Sequence, residues 1–296
     1  MKKAFLAICA LFAMALATVT SCSSKPETII VNWASFNIRY DNPEDSLNNW
    51  KYRADTVANY LIAQDIDVCG MQEVLYNQLM DLEQRLPQYE HVGVCRDDGD
   101  MAGEASPIFF KKDRFKALDS GTFCLSQYPD SVGFIGWDGA CCRIASWAKL
   151  QDKETEKIFM AVNTHFDHVG VEARRNAALL IIKKIKEIVG DQPAVLTGDF
   201  NVNDQSEAYT TITTNEFVLE DAHKKSPAMA GPHYSWHDWG MQPLIDREKI
   251  DFIFVTPTIT VNSAFIYQEH AVDSLKPETQ WGYISDHNPI VAELEF

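Results

Sequence analysis

The sequence predicts an α/β protein built as a four-layer α/β sandwich, two central β-sheets packed face to face with helices outside. Three observations predict it. Strand and helix patterns alternate at both ends of the chain and bracket a β-rich middle. Several strand-like runs are apolar on both parities, as expected of a sheet covered on both faces. No repeat, low-complexity tract or Pro/Ser linker interrupts residues 28–296, so this stretch reads as one domain.

The elements follow in chain order. Strand-like runs occupy Ile29–Ile38 and Ile66–Val74, separated by helical periodicity over Trp50–Ala63 and followed by a second helix over Tyr76–Leu86. The β-rich middle holds Pro107–Lys111, Phe115–Cys124, Arg143–Leu150 and Ile158–Thr164. The clearest helix is Val171–Val189, where Ala178, Ile181, Ile182, Ile185, Ile188 and Val189 form one apolar stripe. Ala194–Leu196, a weaker helix over 206–214, and the strands Ile250–Val255, Val261–Tyr267 and Ile290–Leu294 complete the chain. Long polar loops at 39–49, 95–106, 125–142 and 222–249 interrupt this order, and loops of such length in a compact domain are often functional.

Composition narrows the classes of function. With 46% hydrophobic and 23% charged residues, the chain is neither disordered nor fibrous. Its formal net charge is −16, a poor match for long nucleic acid, whose affinity comes from Lys and Arg on phosphates. No stable nucleic-acid complex is therefore expected, although a local basic pocket remains compatible with this balance. The sequence carries no signal for oligomeric state.

The N-terminus reads as an address. Lys2 and Lys3 precede an uncharged apolar stretch, Ala4 to Val19, short for a spanning helix and right for a signal peptide. It ends in Val19-Thr20-Ser21-Cys22, which resembles the bacterial lipobox, with Cys22 as the acylated residue. Residues 1–21 are then a lipoprotein signal and 22–27 the lipidated Cys and a short tether. The expected location is the bacterial cell envelope, on a membrane through the lipid. A plain secretory signal with an incidental Cys is the alternative. Beyond Cys9 and Cys22, five cysteines remain, at 69, 95, 124, 141 and 142, an odd number with no zinc-like spacing. Cys69, Cys141 and Cys142 sit among apolar neighbours and read as buried thiols, with one bridge still possible.

Six polar clusters stand where strands stop or start. They are Ser35-Phe36-Asn37-Ile38-Arg39, Gly70-Met71-Gln72-Glu73-Val74, Asn163-Thr164-His165-Phe166-Asp167-His168, Gly198-Asp199-Phe200-Asn201, Lys249-Ile250-Asp251-Phe252 and Ser285-Asp286-His287-Asn288-Pro289. Each alone is weak: a Gln-Glu-Val is usually surface, and Asp-His-Asn-Pro is usually a turn. Together they place acids, amides and imidazoles at the mouths of core strands, where charge is costly unless paired or bound to metal. Oxygen donors without thiolate suit Mg²⁺ or Mn²⁺ rather than zinc.

In order and completeness these clusters resemble the endonuclease/exonuclease/phosphatase superfamily. Its members include pancreatic deoxyribonuclease, abasic-site endonucleases, inositol polyphosphate phosphatases and bacterial sphingomyelinases. The resemblance covers about residues 28–296. The wording Phe36-Asn37-Ile38-Arg39-Tyr40-Asp41, Arg96-Asp97-Asp98-Gly99 and Asn163-Thr164-His165-Phe166-Asp167-His168 looks like a secreted bacterial branch. The family fold is the four-layer sandwich.

The resemblance implies roles for individual residues. Glu73 matches the principal metal-binding Glu, with Asn37 beside it and Asp286 near the metal. Asp199 matches the acid that orients or deprotonates the attacking water. Asn201 matches a donor to the phosphoryl oxygen, and His165 a second. His287 matches the general base or transition-state donor, oriented by Asp251. Arg143 stands where relatives often have an Arg that reaches the phosphate. Arg174 or Arg175 is expected to point at the site. Asp167 and His168 are expected to shape the substrate pocket or bind a second ion. Trp50 and Arg53 read as helix packing and a surface pair. His233, Tyr234, Trp236, His237 and Trp239 either stack on a base or sugar or cover a sheet edge.

The implied reaction is metal-dependent hydrolysis of a phosphoester. Charge and envelope address favour a small substrate such as a phospho-sugar, nucleotide or lipid headgroup, with a scavenging nuclease as the alternative. A binding module that lost catalysis would have shed at least one of these polar residues, and a structural Ca²⁺ site would not need the two His residues.

Overall fold

Two mixed β-sheets pack face to face, and helices cover both outer faces. The computed structural model describes residues 28–190, 192–214, 217, 219–267 and 283–296. The signal, Cys22 and the tether lie outside the described residues. Among the described residues no helix is long and apolar enough to cross a membrane.

In chain order the strands are β1 (Ile30–Asn37), β2 (Val68–Gln72), β3 (Val74–Leu75), β4 (Tyr89–Val92), β5 (Glu104–Ala105), β6 (Ile108–Lys111), β7 (Phe115–Cys124) and β8 (Ile144–Asp152). Then come β9 (Ile158–His165), β10 (Ala194–Asp199), β11 (Glu220–Asp221), β12 (Met229–Ala230), β13 (Asp251–Val255), β14 (Thr260–Ile266) and β15 (Ile290–Glu295). The helices are α1 (Trp50–Ala63), α2 (Tyr76–Arg85), α3 (Val171–Val189), α4 (Glu207–Thr214) and α5 (Ala222–Lys225). One sheet has seven strands in the order β12-β14-β15-β1-β2-β6-β4, and the other has six, β11-β13-β10-β9-β8-β7. A two-stranded ribbon, β3-β5, stands apart.

The double-parity strands explain the layering. On β1, Val31 and Trp33 enter the core between the sheets, while Ala34 and Phe36 pack under α1 and α2. On β13, Ile253 and Val255 face the inter-sheet core, and Phe252 and Phe254 meet α3 and α4. The α3 stripe holds as expected, with Ala178, Ile181, Ile182 and Ile185 buried. Helices, sheet, sheet and helices are the four layers, and the three apolar clusters fill the spaces between them.

Where the structure departs from the sequence reading, the causes are local. The second strand stops at Gln72 because Glu73 adopts φ 62°, a left-handed conformation that breaks the ladder. The tenth strand runs on to Asp199 through Thr197 and Gly198. Edge strand β4 has Glu90 and His91 inside a four-residue run, which leaves no clear alternation.

Register delivers the polar clusters to one pole of the sandwich. Parallel β1 and β2 align Asn37 with Gln72. Parallel β9 and β10 align His165 with Asp199, and antiparallel β13 aligns Asp251 with Asp199. Beneath this pole the two sheets are joined by a buried polar layer. Asn163 Nδ2 donates to the carbonyls of Met71 (2.6 Å) and Pro107 (3.0 Å), and its Oδ1 accepts from Gln72 Nε2 (2.7 Å) and Thr197 Oγ1 (3.0 Å). Gly70 makes that approach possible: a Cβ there would lie 2.1 Å from Thr197 Oγ1. At the opposite pole Ile29 pairs through its backbone with Phe296.

Candidate active site

A cavity of about 640 Å³ opens at the strand-end pole. It is lined by Glu73, Arg143, His165, His168, Asp199, Asn201, Trp236, Asp286 and His287 from the expected set. Asn37 and Asp251 lie buried directly behind them.

Asn37, at the last position of β1, joins the two sheets. Its Nδ2 donates to Glu73 Oε1 and to Asp199 Oδ2, both at 3.0 Å. Its Oδ1 accepts from the Arg39 backbone at 3.0 Å. Asn37 therefore spends its amide on orienting two acids rather than presenting its oxygen to the cavity. Glu73 Oε2 accepts from Tyr40 N at 3.1 Å. Burial opposes the Glu73 charge, but His287, Asn37 and Arg39 hold its carboxyl below the usual range.

His287 is gripped from behind. Its Nδ1 meets Asp251 Oδ2 at 2.8 Å, and its Nε2 lies 3.8 Å from Asp199 Oδ2. Burial disfavours the imidazolium, yet Asp251 and Asp199 outweigh it and raise the pKa to about 10. Burial and the nearby Asp251 push Asp199 up to about 7. Burial likewise pushes Asp286 up, with Glu73 adding to it. His165 goes the other way: burial first, then Arg143, depress it well below its usual value. Its Nε2 faces Asn201 Nδ2 at 3.0 Å, and that amide also donates to Phe166 O. The network thus assigns the Nδ1–H tautomer, and Nδ1 makes no hydrogen bond, lying 3.9 Å from Glu104 Oε2. Two of the three imidazoles that line the pocket are thus driven apart, His287 upward by its carboxylates and His165 downward by burial and Arg143.

The backbone is strained here. Arg39 (φ 59°), Glu73 (φ 62°) and Asn201 (φ 50°) are all left-handed, and such residues cluster at functional sites. The four long loops all contribute: Arg39 and Tyr40, Arg96 and Glu104, Cys141, and Trp236 with Glu248 line the cavity.

Four expectations are corrected. Asp167 does not line the cavity. Its Oδ1 accepts from the backbones of Val169 and Gly170, and its Oδ2 from Ala140 and Cys141, so it ties two loops together. Cys141, Asp167 and His168 do offer ligand atoms within 4.8 Å of one another. Arg143 stands beside this group, with Nε 3.8 Å from Asp167 Oδ2 and Nη2 3.1 Å from His168 Nδ1. Arg174 turns back onto Asp167 O at 2.9 Å, and Arg175 pairs with Glu207 on the surface. Arg53 is buried, not a surface residue. It donates to the carbonyls of Asn48, Ile38, Ile284 and Arg39 at 2.5–3.3 Å and stacks between Trp50 and Trp239. It clamps the ends of the segments that carry Asn37 and Asp286. Cys141 is half-buried at the cavity wall, while Cys69, Cys95, Cys124 and Cys142 are buried, and all five are free thiols.

Several lining residues were missed. Arg39 and Arg96 stood inside quoted sequence clusters but were given no task. Glu104 gave no signal, being one acid in a polar loop. Of the loop aromatics only Trp236 lines the cavity; Tyr234 and Trp239 are buried.

A buried acid cluster, a clamped imidazolium and a neutral imidazole at the end of a four-layer sandwich define a phosphoesterase-type fold and site. The chain belongs to the endonuclease/exonuclease/phosphatase family, whose model matches residues 34–287. A solved family member from Bacteroides vulgatus is 58% identical, with a TM-score of 0.85 over 90% of this chain and 98% of that one. A mannosyl-6-phosphatase of Bacteroides thetaiotaomicron is 34% identical, with a TM-score of 0.82 over 90% of this chain and all (100%) of that one. An uncharacterised protein of Acanthamoeba polyphaga mimivirus is 29% identical over 182 residues, which is 58% of this chain and 66% of that protein. The chain spans no more than 66% of the length of the curated relatives it matches.

Proposed function

We propose that the protein is a divalent-metal-dependent hydrolase of small phosphoesters, and that its substrate is a phosphorylated sugar. The observation that carries the reaction class is the row Asp251–His287–Asp199 with His165 and Asn201 beside it at one cavity, His165 Nε2 standing 3.4 Å from Asp199 Oδ2. The similarity to a mannosyl-6-phosphatase supports the sugar. The Val19–Cys22 sequence supports an address in the cell envelope, anchored by lipid.

Glu73 and Asp286 would hold Mg²⁺ or Mn²⁺. The residues fit: two buried carboxylates, Asp199 and Asp286, and the half-buried Glu73 crowd one cavity, and hard oxygen donors suit such ions. The ion would supply positive charge to the phosphoryl oxygens. Asp199, set by Asn37 and the Asn201 backbone, orients the attacking water and takes its proton. The water oxygen bonds to phosphorus as the ester P–O bond breaks, and the sugar oxygen takes up a proton from solvent and leaves as the alcohol, with inorganic phosphate as the second product. His287, already protonated, donates to a phosphoryl oxygen rather than acting as base, and His165 Nδ1–H and Arg143 add further donors.

The test is turnover of hexose 6-phosphates, p-nitrophenyl phosphate, bis-p-nitrophenyl phosphate, DNA and RNA with Mg²⁺ or Mn²⁺. Hydrolysis of the sugar phosphates, abolished by EDTA and by Asp199→Ala and His287→Ala, is the expected result. Turnover confined to DNA or RNA would replace the sugar reading with the nuclease.

A further inference from the structure

Glu104 and Arg96 form a second polar wall of the cavity that the chemistry above does not use, with Arg143, already assigned to the phosphoryl group, at its edge. Glu104 comes from the β3–β5 ribbon, where it pairs with Leu75, two residues beyond Glu73. Arg96 holds it in a fork, Nη1 to Oε2 and Nη2 to Oε1, both at 2.8 Å. The fork is braced: Arg96 N donates to Glu104 O at 3.0 Å, and Asp98 Oδ1 accepts from Asp100 and Ala102 within the same turn.

The fork leaves capacity unspent. A carboxylate accepts about four hydrogen bonds, and Glu104 receives two. Arg96 Nε, Arg143 Nε and Arg143 Nη1 are buried without a hydrogen bond; Arg96 Nε and Arg143 Nε have only the longer ion pairs to Asp97 Oδ1 (3.9 Å) and Asp167 Oδ2 (3.8 Å). Buried donors and acceptors are normally satisfied, so this wall is built to be completed by a ligand. Acceptor and donor stand side by side with their charges cancelled. That presentation matches hydroxyl groups, each of which donates one bond and accepts others. It does not match another phosphate, which would confront the Glu104 carboxylate. Trp236 on the same cavity offers an apolar face for a sugar ring.

We propose that Glu104, forked by Arg96, is the hydroxyl-binding subsite that selects a phosphorylated sugar over a phosphodiester chain. This rests on the sugar-phosphate reading of the same site. Arg96 is a positioning residue; Glu104 touches the substrate.

The experiment is a cycle between enzyme and substrate changes, read as kcat/KM with KM and kcat separated. The wild-type protein, Glu104→Gln and Arg96→Lys, each checked for an unchanged thermal transition, are assayed with Mg²⁺. The substrates are mannose 6-phosphate, glucose 6-phosphate and their monodeoxy forms, with p-nitrophenyl phosphate as a hydroxyl-free reference. The wild type is expected to lose roughly 10- to 100-fold on removal of one particular hydroxyl, the range for a hydrogen bond to a charged group. Glu104→Gln is expected to flatten that discrimination to below about threefold, chiefly through KM, because the two changes remove one interaction. Arg96→Lys is expected to fall between. Equal losses on sugar phosphates and p-nitrophenyl phosphate would overturn the proposal and tie Glu104 to the acid cluster instead. Full deoxy-sugar discrimination in Glu104→Gln would overturn it while leaving the sugar-phosphate reading intact. Absence of wild-type turnover on any sugar phosphate, with p-nitrophenyl phosphate or a diester hydrolysed, would remove that reading and the subsite with it.

Discussion

The two walls of the cavity are made in different ways. The acid wall hangs on strand ends from both sheets, and its side chains are tied to one another: Asn37 to Glu73 and Asp199, His287 to Asp251, His165 to Asn201. The opposite wall hangs on loops. The acid wall keeps His165 Nδ1 and Asp251 Oδ1 without hydrogen bonds, the loop wall three guanidinium N–H positions of Arg96 and Arg143. The difference suggests a division of labour, with rigid strand ends carrying the chemical step and loops carrying selection.

The largest expected effect tests the acid wall. Asp199→Ala and His287→Ala should each reduce kcat on the order of 10³-fold or more, equally on a sugar phosphate and on p-nitrophenyl phosphate. Parallel losses in steady-state kinetics sharpen the division; a tenfold difference between substrates breaks it. Arg53 supports that wall from behind. Arg53→Met leaves four carbonyls without their donor and should cost about 3 kcal/mol, lowering Tm by roughly 6–10 °C in calorimetry. On the loop wall, Arg143→Met should raise KM by roughly 10- to 100-fold with a smaller change in kcat, as a charge-assisted donor is lost.

Metal and pH come next. Asp199 titrates near 7, and Asp286 also holds its proton above the usual carboxylate range. At pH 5 an arriving cation must displace the Asp199 proton; at pH 8 that carboxyl is largely ionised. Mg²⁺ should therefore raise Tm more at pH 8 than at pH 5, by a few degrees in thermal denaturation at about millimolar metal. The imidazole of His287 acts oppositely on the metal-free fold. Its raised value stabilises the protein below the unfolded value near 6.5, and that contribution is lost as pH rises to about 10. The smallest effect is reserved for Arg174, which faces Asp167 rather than the cavity. Arg174→Ala should change kcat/KM by less than about twofold.

The same division explains what could be read from the sequence. The layers were legible because Val31 and Trp33 alternate with Ala34 and Phe36 on β1, an arrangement that only a sheet covered on both faces requires. Asp199, Asp251, His165 and His287 were legible because strand ends are rigid, so short clusters keep a fixed place in space. Asp167 and Arg53 were misread because their partners are backbone groups. Asp167 serves the amides of two loops, and Arg53 serves carbonyls up to 231 positions away, at Ile284. Backbone groups are present at every residue and leave no trace in side-chain identity. Glu104 was invisible for a related reason: its meaning comes from Arg96 across a turn and Leu75 across a ribbon.

The pairing of Ile29 with Phe296, at the end of β1 remote from Asn37, sets an orientation. Eight residues of extended strand span roughly 25 Å, so the chain leaves the domain about that far from the cavity. On the lipid anchor proposed above, the mouth of the cavity lies at the pole of the domain away from Ile29. Such a molecule would collect what diffuses past rather than graze the surface beneath it, and a small soluble phosphate is a cargo suited to that posture.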